Sequence, residues 1–591
     1  MIVFPKNPLR LFLSALGISL GLLLAMEPFG FFLAGGASAI SAYLFFLELK
    51  EWPQKFQILW LLLLSQILNF TVFFWIPSSI SAISGAGEFI SWTLFLIYGF
   101  FSHIKLFLSF YGWKFSVDLY KKYRNNESEL LRLEWFLFPV WGILGDIVTP
   151  QLFPWFWGNL AEGNLSFSQI AATTGIYGVG FFLLLGGASI ASLRNLNLRK
   201  LGILGIVFFG LTWTLGGYRL LTAPDYRVPN TTPNVENDLL KLSAIMIQPN
   251  TSPAKREFAE NPEYLGQAMS RNLEMALSSS LENVPPPDLI FFPESAIPFH
   301  GTDLNPNNVS SGVYSPTFHG LVLYLTYKTG ADLLYNELNQ SDEGLRNQVT
   351  LISSETREIQ RYDKRRLLAF GEYLPFESTF PFLRSLFKET SRYVRGGSPK
   401  PLLGTRSFYR VRQPSPPTPE EISAIQTPGN FPSIAHSSSP EDSVPYQILP
   451  LICYEAMFPS LVQDSIREAR KNEYTILANP TNDSWFSSRA EAWQHAGTSR
   501  FRAIEFGLSF VRPTVSGISF VVDPFGRALS TPIESGEIGT KAFLLPVTKL
   551  VPEGNTFYSR WGNLPFYLYS VIGTILFPFL NIFLFRKSAK K

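Results

Sequence analysis

The sequence is poor in the residues that make cross-links and metal sites. Among 591 residues there is one cysteine, Cys453, and only five histidines: His103, His300, His319, His436 and His495. A single thiol excludes an intramolecular disulfide and any thiolate cluster for zinc or iron–sulfur. No two histidines stand at metal-ligand spacing, so no metal and no other cofactor is expected. Charge is scarce as well. Asp, Glu, Lys and Arg make up 16% of the chain, against roughly 25% in an ordinary soluble domain. A net charge of +3 gives no reason to expect nucleic acid as a partner.

Apolar and aromatic residues fill the gap: 46% of positions are hydrophobic, with 53 Phe and 13 Trp. Mean hydropathy is nevertheless only +0.13, so the apolar residues are concentrated in part of the chain. Runs close to the 20 or so residues needed to cross a bilayer occur at 29–49, 56–76, 89–110 and 170–193. Slightly shorter ones lie at 11–26 and 201–218, and a weaker one at 135–148 contains Pro139 and Asp146. A last run covers 564–585. The expected organisation is a seven-helix membrane bundle over 1–220, a polar region over 221–558, and one more helix with a basic tail over 559–591.

Loop charge sets the expected orientation. Lys6 and Arg10 precede the first span, and Lys50 and Lys55 follow the second. Lys114, Lys121, Lys122, Arg124 and Arg132 follow the fourth, and Arg194, Arg199 and Lys200 the sixth. The alternate loops, 77–88 and 149–169, carry no Lys or Arg. By the positive-inside rule both termini are cytoplasmic and the polar region is exported. Lys105, near the inner end of the fourth run, is expected to snorkel toward the inner surface. The aromatic loop Pro150-Gln-Leu-Phe-Pro-Trp-Phe-Trp-Gly-Asn159 reads either as an interfacial anchor or as a lip where a lipid chain enters a site.

From residue 242 the pattern changes. Short apolar runs at 242–248, 288–293, 321–327, 348–353, 446–454 and 474–479 read as strands, followed by 510–522 and 542–546. Helical patterns at 262–280, 459–471 and 490–506 alternate with them. Strands and helices in alternation predict an α/β region with a buried sheet and a core over about 242–547. The stretch 412–444 is rich in Pro and Ser and reads as a mobile surface insertion.

Three residues in this region form a chemical set. Cys453 ends an apolar run just before Pro459, Glu294 follows Leu-Ile-Phe-Phe-Pro, and Lys364 lies in Tyr-Asp-Lys-Arg-Arg. A thiol with an ordinary pKa near 8.5 is mostly protonated at neutral pH and needs a base. A partly buried carboxylate supplies one, and a lysine stabilises the oxyanion that thiol attack creates.

Phe292-Pro-Glu-Ser-Ala-Ile-Pro298, Tyr362-Asp-Lys364, Phe370-Gly-Glu-Tyr-Leu-Pro375 and Ile452-Cys-Tyr-Glu455 together resemble the Glu-Lys-Cys motifs of the nitrilase superfamily. With Asn479-Pro-Thr-Asn-Asp-Ser-Trp-Phe486, Trp493-Gln-His495, Arg500-Phe-Arg-Ala-Ile-Glu505 and the flanking apolar runs, the chain is similar to the apolipoprotein N-acyltransferases. The resemblance implies a four-layer αββα domain on an eight-helix bundle in the bacterial inner membrane, with the catalytic domain periplasmic and the protein a monomer. It implies transfer of an acyl chain from a phospholipid to the α-amino group of a diacylated lipoprotein. On this resemblance Glu294 is the general base, Lys364 the stabilising lysine and Cys453 the nucleophile. Glu372 orients the site, and Tyr454 and Glu455 shape the nucleophile's entrance. Trp485 reads either as core or as a substrate contact, and Arg500 and Arg502 either as ion-paired structure or as ligands of a donor's phosphate. A tryptophan common in the family after the first strand would fall near Glu257 or Phe258.

Overall fold

The structure, a computed structural model, describes residues 7–85, 87–123, 126–226, 239–251, 262–282, 286–294, 299–301, 306–312, 314–354, 358–387, 390–407, 443–486 and 488–571. Glu257, Phe258, most of the 412–444 stretch and the chain beyond 571 lie outside these residues.

The N-terminal part folds into α1 Pro8–Ala25, α2 Phe32–Leu49, α3 Gln54–Val72, α4 Ile76–Ser84, α5 Glu88–Phe101, α6 Ile104–Tyr123, α7 Glu127–Val148, α8 Leu165–Ser168, α9 Ala171–Ser192 and α10 Arg199–Leu221. Among the described residues, six stretches are long and apolar enough to cross a membrane: α1, α2, α3, the stretch Glu88–Lys122 across α5 and α6, α9 and α10. Packing follows the chemistry of a bundle in hydrocarbon. Small residues let the helices approach, so that a Cβ on Gly21 would meet Ser38 at 2.6 Å and one on Gly187 would meet Ala39 at 2.5 Å. Large apolar side chains point away from the bundle, among them Leu204, Val207, Phe208, Leu211 and Leu215 of α10.

Two spans differ from expectation. The fifth helix expected, over 135–148, is α7 in the structure; it begins at Glu127 rather than near 135 and holds Glu134 and Asp146 buried within the bundle. The fourth run does not end at 110 but continues to Lys122 with an interruption at Ser102 and His103. Lys105 therefore opens α6 instead of closing a span, and it does not snorkel. Its side chain is buried and its Nζ donates to Asp146 Oδ1 at 2.7 Å and to the carbonyl of Trp155. Nζ also sits 3.2 Å from the Trp155 ring centroid. Chain length moved the lysine to the other end of its helix, beside the loop that joins α7 to α9.

The second part contains, among the described residues, an 11-stranded mixed sheet. Its strands are β1 Leu239–Gln248, β2 Leu289–Phe291, β3 Asp332–Ser341, β4 Gly344–Ile352, β5 Ile359–Asp363, β6 Leu402–Ser407, β7 Ser443–Pro450, β8 Tyr474–Ala478, β9 Ser509–Arg512, β10 Phe520–Val522 and β11 Gly539–Lys549. β1, β2 and β3 run parallel in one half, and β7, β8 and β9 in the other. β11 pairs antiparallel with β1 along ten residues and with β8 over two. The two β layers expected of the αββα arrangement are thus halves of one continuous sheet.

Side-chain alternation along the strands generates the four layers. Ala244, Met246, Phe291, Leu334 and Leu351 share one core with Ile448, Ile476, Val511 and Leu545, so the two halves pack face to face. The opposite face of the first half, through Ile245, Ile247, Ile290 and Leu333, packs on helices Pro262–Glu282 and Pro316–Thr329. The opposite face of the second half, through Leu449, Leu477 and Phe510, packs on helices Pro459–Glu468 and Arg489–Phe506.

The run 321–327, read as a strand, lies instead in helix Pro316–Thr329. Ser315 caps it by accepting from the Phe318 N–H, Pro316 starts it and Gly330 ends it at φ +64°. Capping residues prevailed over the β-branched and aromatic composition of a short apolar run.

Candidate active site

The nucleophile candidate stands where β7 leaves the sheet. Residues 446–452 are buried, and the ladder to the β8 side continues past the strand through Leu451 N–H to Ala478 O and Cys453 N–H to Pro480 O, both 2.8 Å. Cys453 itself has φ +49°, a left-handed backbone that residues with a Cβ rarely adopt. The side-chain amide of Asn479 donates to the carbonyls of Leu451 and Cys453 and holds the turn. A short 3₁₀ turn, Cys453–Met457, follows, and Pro459 opens the next helix.

Glu455 anchors this turn from below. It is fully buried, and its Oε2 accepts from Ile452 N–H and Tyr362 Oη, both at 2.8 Å. Its Oε1 accepts from the N–H groups of Arg365 at 2.6 Å and Arg366 at 2.9 Å. Glu455 therefore does not shape an entrance; it ties the lysine-bearing segment to the cysteine turn. Tyr454 does face the cavity, with its hydroxyl donating to the carbonyl of Leu152 in the loop after α7.

Glu294 and Lys364 come in from the other half of the sheet. Glu294 follows β2 and Lys364 follows β5, and both are buried. Lys364 Nζ lies 3.0 Å from Glu294 Oε1 and 2.7 Å from Glu372 Oε1. Asn347, on β4, donates to the same two oxygens at 2.7 and 3.1 Å. The backbone N–H of Asn482 donates to Glu294 Oε2 at 3.1 Å, and Leu368 N–H to Glu372 Oε2 at 2.8 Å. The two carboxylates are thus held by Lys364 and Asn347 together. Nothing in the sequence singled out Asn347, because a buried Asn in a strand leaves no periodic mark.

Electrostatics follows from this geometry. Burial, with the Glu294 charge, pushes the Cys453 thiol well above its ordinary value, and Lys364 only partly offsets this. Lys364 loses by burial but is held well above its usual range by Glu294 and Glu372. Burial raises Glu372 despite Lys364. The thiol is therefore protonated at neutral pH, and its reaction requires a neighbouring proton acceptor.

Cys453 lines a cavity of about 40 Å³ with Trp75, Phe153, Trp155, Met457 and Phe486. A larger cavity of about 640 Å³ shares Phe153 and Leu368 with it. Its walls are almost wholly apolar: Ile80, Leu94, Ile97 and Phe101 from α4 and α5, and Phe370, Phe376 and Phe387 from the polar region. That volume is in the range of ligand pockets. Trp485 lines neither cavity; it packs half-buried against the core, and its neighbour Phe486 takes the position in the wall.

Asp483, Glu491 and His495 bring their ligand atoms within 4.8 Å of one another. Arg512, however, already engages Asp483 at 2.9 and 3.2 Å. A guanidinium against the same carboxylate opposes a metal ion there, so the set is an ion network. Arg502 and Arg500 are likewise ion-paired, Arg502 with Glu505 at 2.8 Å and Arg500 with Glu27 at 3.7 Å.

A buried cysteine, glutamate and lysine at the edges of a folded-over sheet define a class. Residues 265–547 match the carbon-nitrogen hydrolase family, and all three residues fall inside the match. Over 570 residues, 94% of each chain, the protein is 41% identical to apolipoprotein N-acyltransferase 1 of Leptospira interrogans. It is 26% identical over 423 residues, 69% of this chain and 68% of the other, to the apolipoprotein N-acyltransferase of Rickettsia typhi. The chain belongs to the apolipoprotein N-acyltransferase family.

Proposed function

We propose that the protein moves an acyl chain from a membrane phospholipid, through a thioester on Cys453, to the α-amino group of a lipoprotein whose N-terminal cysteine carries a diacylglyceryl group. The observation that carries this reading is the position of Cys453, in a cavity bordered by a second, apolar one of about 640 Å³ between membrane helices and the catalytic region. A hydrolase of small soluble amides has no use for such a chamber.

Glu294 takes the thiol proton while Sγ attacks the ester carbonyl, and it returns that proton to the lysophospholipid oxygen as the C–O bond breaks. Lys364 has three N–H donors; two point at Glu294 and Glu372, and the third serves the oxyanion. Glu372 and Asn347 hold Lys364 and Glu294 in register. Dividing the transfer into two steps avoids bringing two lipid-bearing substrates together at once. The apolar loop walls, Phe153 with Phe376, suit entry of the chain from the bilayer. The chain division at about 220 and 558, a monomeric state, and a catalytic region on the periplasmic side of the inner membrane complete the proposal.

Incubation with a radiolabelled phospholipid alone tests it. The protein should acquire a hydroxylamine-sensitive acyl label that a diacylated lipopeptide discharges, and Cys453→Ala should acquire none. Full transfer by Cys453→Ala would sink the mechanism.

A further inference from the structure

Proton balance in the second half of this reaction requires more than Glu294. An α-amino group has an ordinary pKa near 7.7–8.0, so it arrives mostly as an ammonium. It becomes an amide nitrogen bearing one hydrogen, and two protons must leave. One ends on the Cys453 sulfur when the thioester opens, by way of Glu294. The other must be removed before the nitrogen has a lone pair to attack with.

The wall of the Cys453 cavity contains a group with that capacity. His495, on helix Arg489–Phe506, lines the cavity and is 6% exposed. Its Nδ1 lies 3.1 Å from Asp483 Oδ1, which places the ring hydrogen on Nδ1 and leaves Nε2 with its lone pair. Nε2 makes no well-formed hydrogen bond among the described residues, and the backbone carbonyl of Cys453 lies near the ring. Asp483 is itself fixed by Arg512, whose guanidinium also binds Asn479, the residue that holds the Cys453 turn. A carboxylate that orients an imidazole beside a reacting centre is the arrangement of a general base. Glu491 completes the wall: it is 5% exposed, its Oε1 is 3.6 Å from His495 Nδ1, and its Oε2 has no hydrogen-bond partner among the described residues.

Resting on the acyl-transfer reading, we infer that His495, oriented by Asp483, takes the first proton from the acceptor's α-ammonium in the Cys453 cavity. The ammonium N–H bond breaks to Nε2, giving a free amine and an imidazolium. The amine then attacks the thioester carbonyl, the C–N bond forms, the C–S bond breaks, and the second proton passes through Glu294 to sulfur. The imidazolium releases its proton to solvent after the product leaves. Burial and the Arg512 charge keep the resting ring below its ordinary pKa, so it is neutral and ready to accept. The same dry cavity destabilises the entering ammonium, which brings donor and acceptor closer in strength. The carbonyl of Cys453 and Asp483 both favour the imidazolium once it forms.

The test separates the two half-reactions in the full-length protein. His495→Asn keeps a donor for Asp483 and removes the base; His495→Gln is the companion variant. Each should acquire the acyl label from phospholipid at a rate within about threefold of the parent, which also shows that it is folded. Discharge of that label by a diacylated lipopeptide at pH 7 should be at least about 100-fold slower than in the parent. Hydroxylamine, largely unprotonated at pH 7, should discharge parent and variants alike, and the lipopeptide deficit should shrink at pH 9. Lipopeptide discharge at the parent rate in either variant overturns the assignment, as does an equal loss in both half-reactions. A parent protein that acquires no label at all refutes the acyl-transfer reading itself, a different result.

Discussion

At the residue scale the decisive fact is that Cys453 is a poor nucleophile at rest. Its pKa is held well up, first by burial and then by Glu294, with Lys364 acting in the opposite sense. Below its pKa the thiolate fraction rises tenfold per pH unit. Alkylation of the lipid-free protein by N-ethylmaleimide should therefore keep rising through pH 9, where an ordinary thiol has levelled off. Lys364→Met removes a neighbouring cation that lowers the thiol pKa, so labelling at any pH in that range should fall further. Faster labelling in the variant would contradict this account. The family motif exposed the cysteine, glutamate and lysine, but it misplaced Glu455. Adjacency in sequence suggested an entrance, while the backbone's left-handed turn at Cys453 sends the next side chains to different sides, Tyr454 to the cavity and Glu455 to the interior.

At the scale of elements, the site depends on a loop held by a buried ion pair. Asp146 at the end of α7 receives Lys105 from α6 and the N–H of Trp157 at 2.8 Å, and Lys105 also reaches the Trp155 carbonyl. Trp155 in turn lines the Cys453 cavity. Removing one partner leaves a buried charge alone and costs about 3–5 kcal/mol, while replacing both by apolar groups is often nearly neutral. Lys105→Met and Asp146→Leu should each lower the thermal unfolding midpoint in detergent markedly, and the double substitution should regain most of the loss. A double variant as unstable as the sum of the two would show that the pair does not act as a unit.

For the whole molecule, membrane bundle and catalytic region meet through specific contacts. Gln494 accepts from Trp75 Nε1 at 3.1 Å and donates to the Val72 carbonyl at 3.0 Å, and Ile176 N–H donates to Glu505 at 2.8 Å. Asn159 binds Thr498 at 2.8 Å. These link α3, α9 and the loop after α7 to the helix that carries His495, so the Cys453 cavity is built from both parts at once. The charge asymmetry of the loops predicts that this assembly faces the exported side. A periplasm-dependent reporter fused after Tyr218 should be active, and the same reporter fused after Lys591 silent. The opposite pattern would reverse the orientation.

The sequence by itself determined what is encoded in contiguous runs and short motifs. Apolar length marked most of the membrane helices, and the residues around Glu294, Lys364 and Cys453 marked the family, because both signals are read locally. Strands β3, β5 and β6 went unread, since their polar residues, such as Asn336 and Gln360, find partners only across the sheet. Tertiary structure alone decided that Lys105 meets Asp146, that Asn347 bridges two carboxylates, and that His495, held by Asp483, lines the cavity of Cys453. Each joins residues that chain order keeps apart, and the energy of burying a charge or a polar group depends on what surrounds it in space.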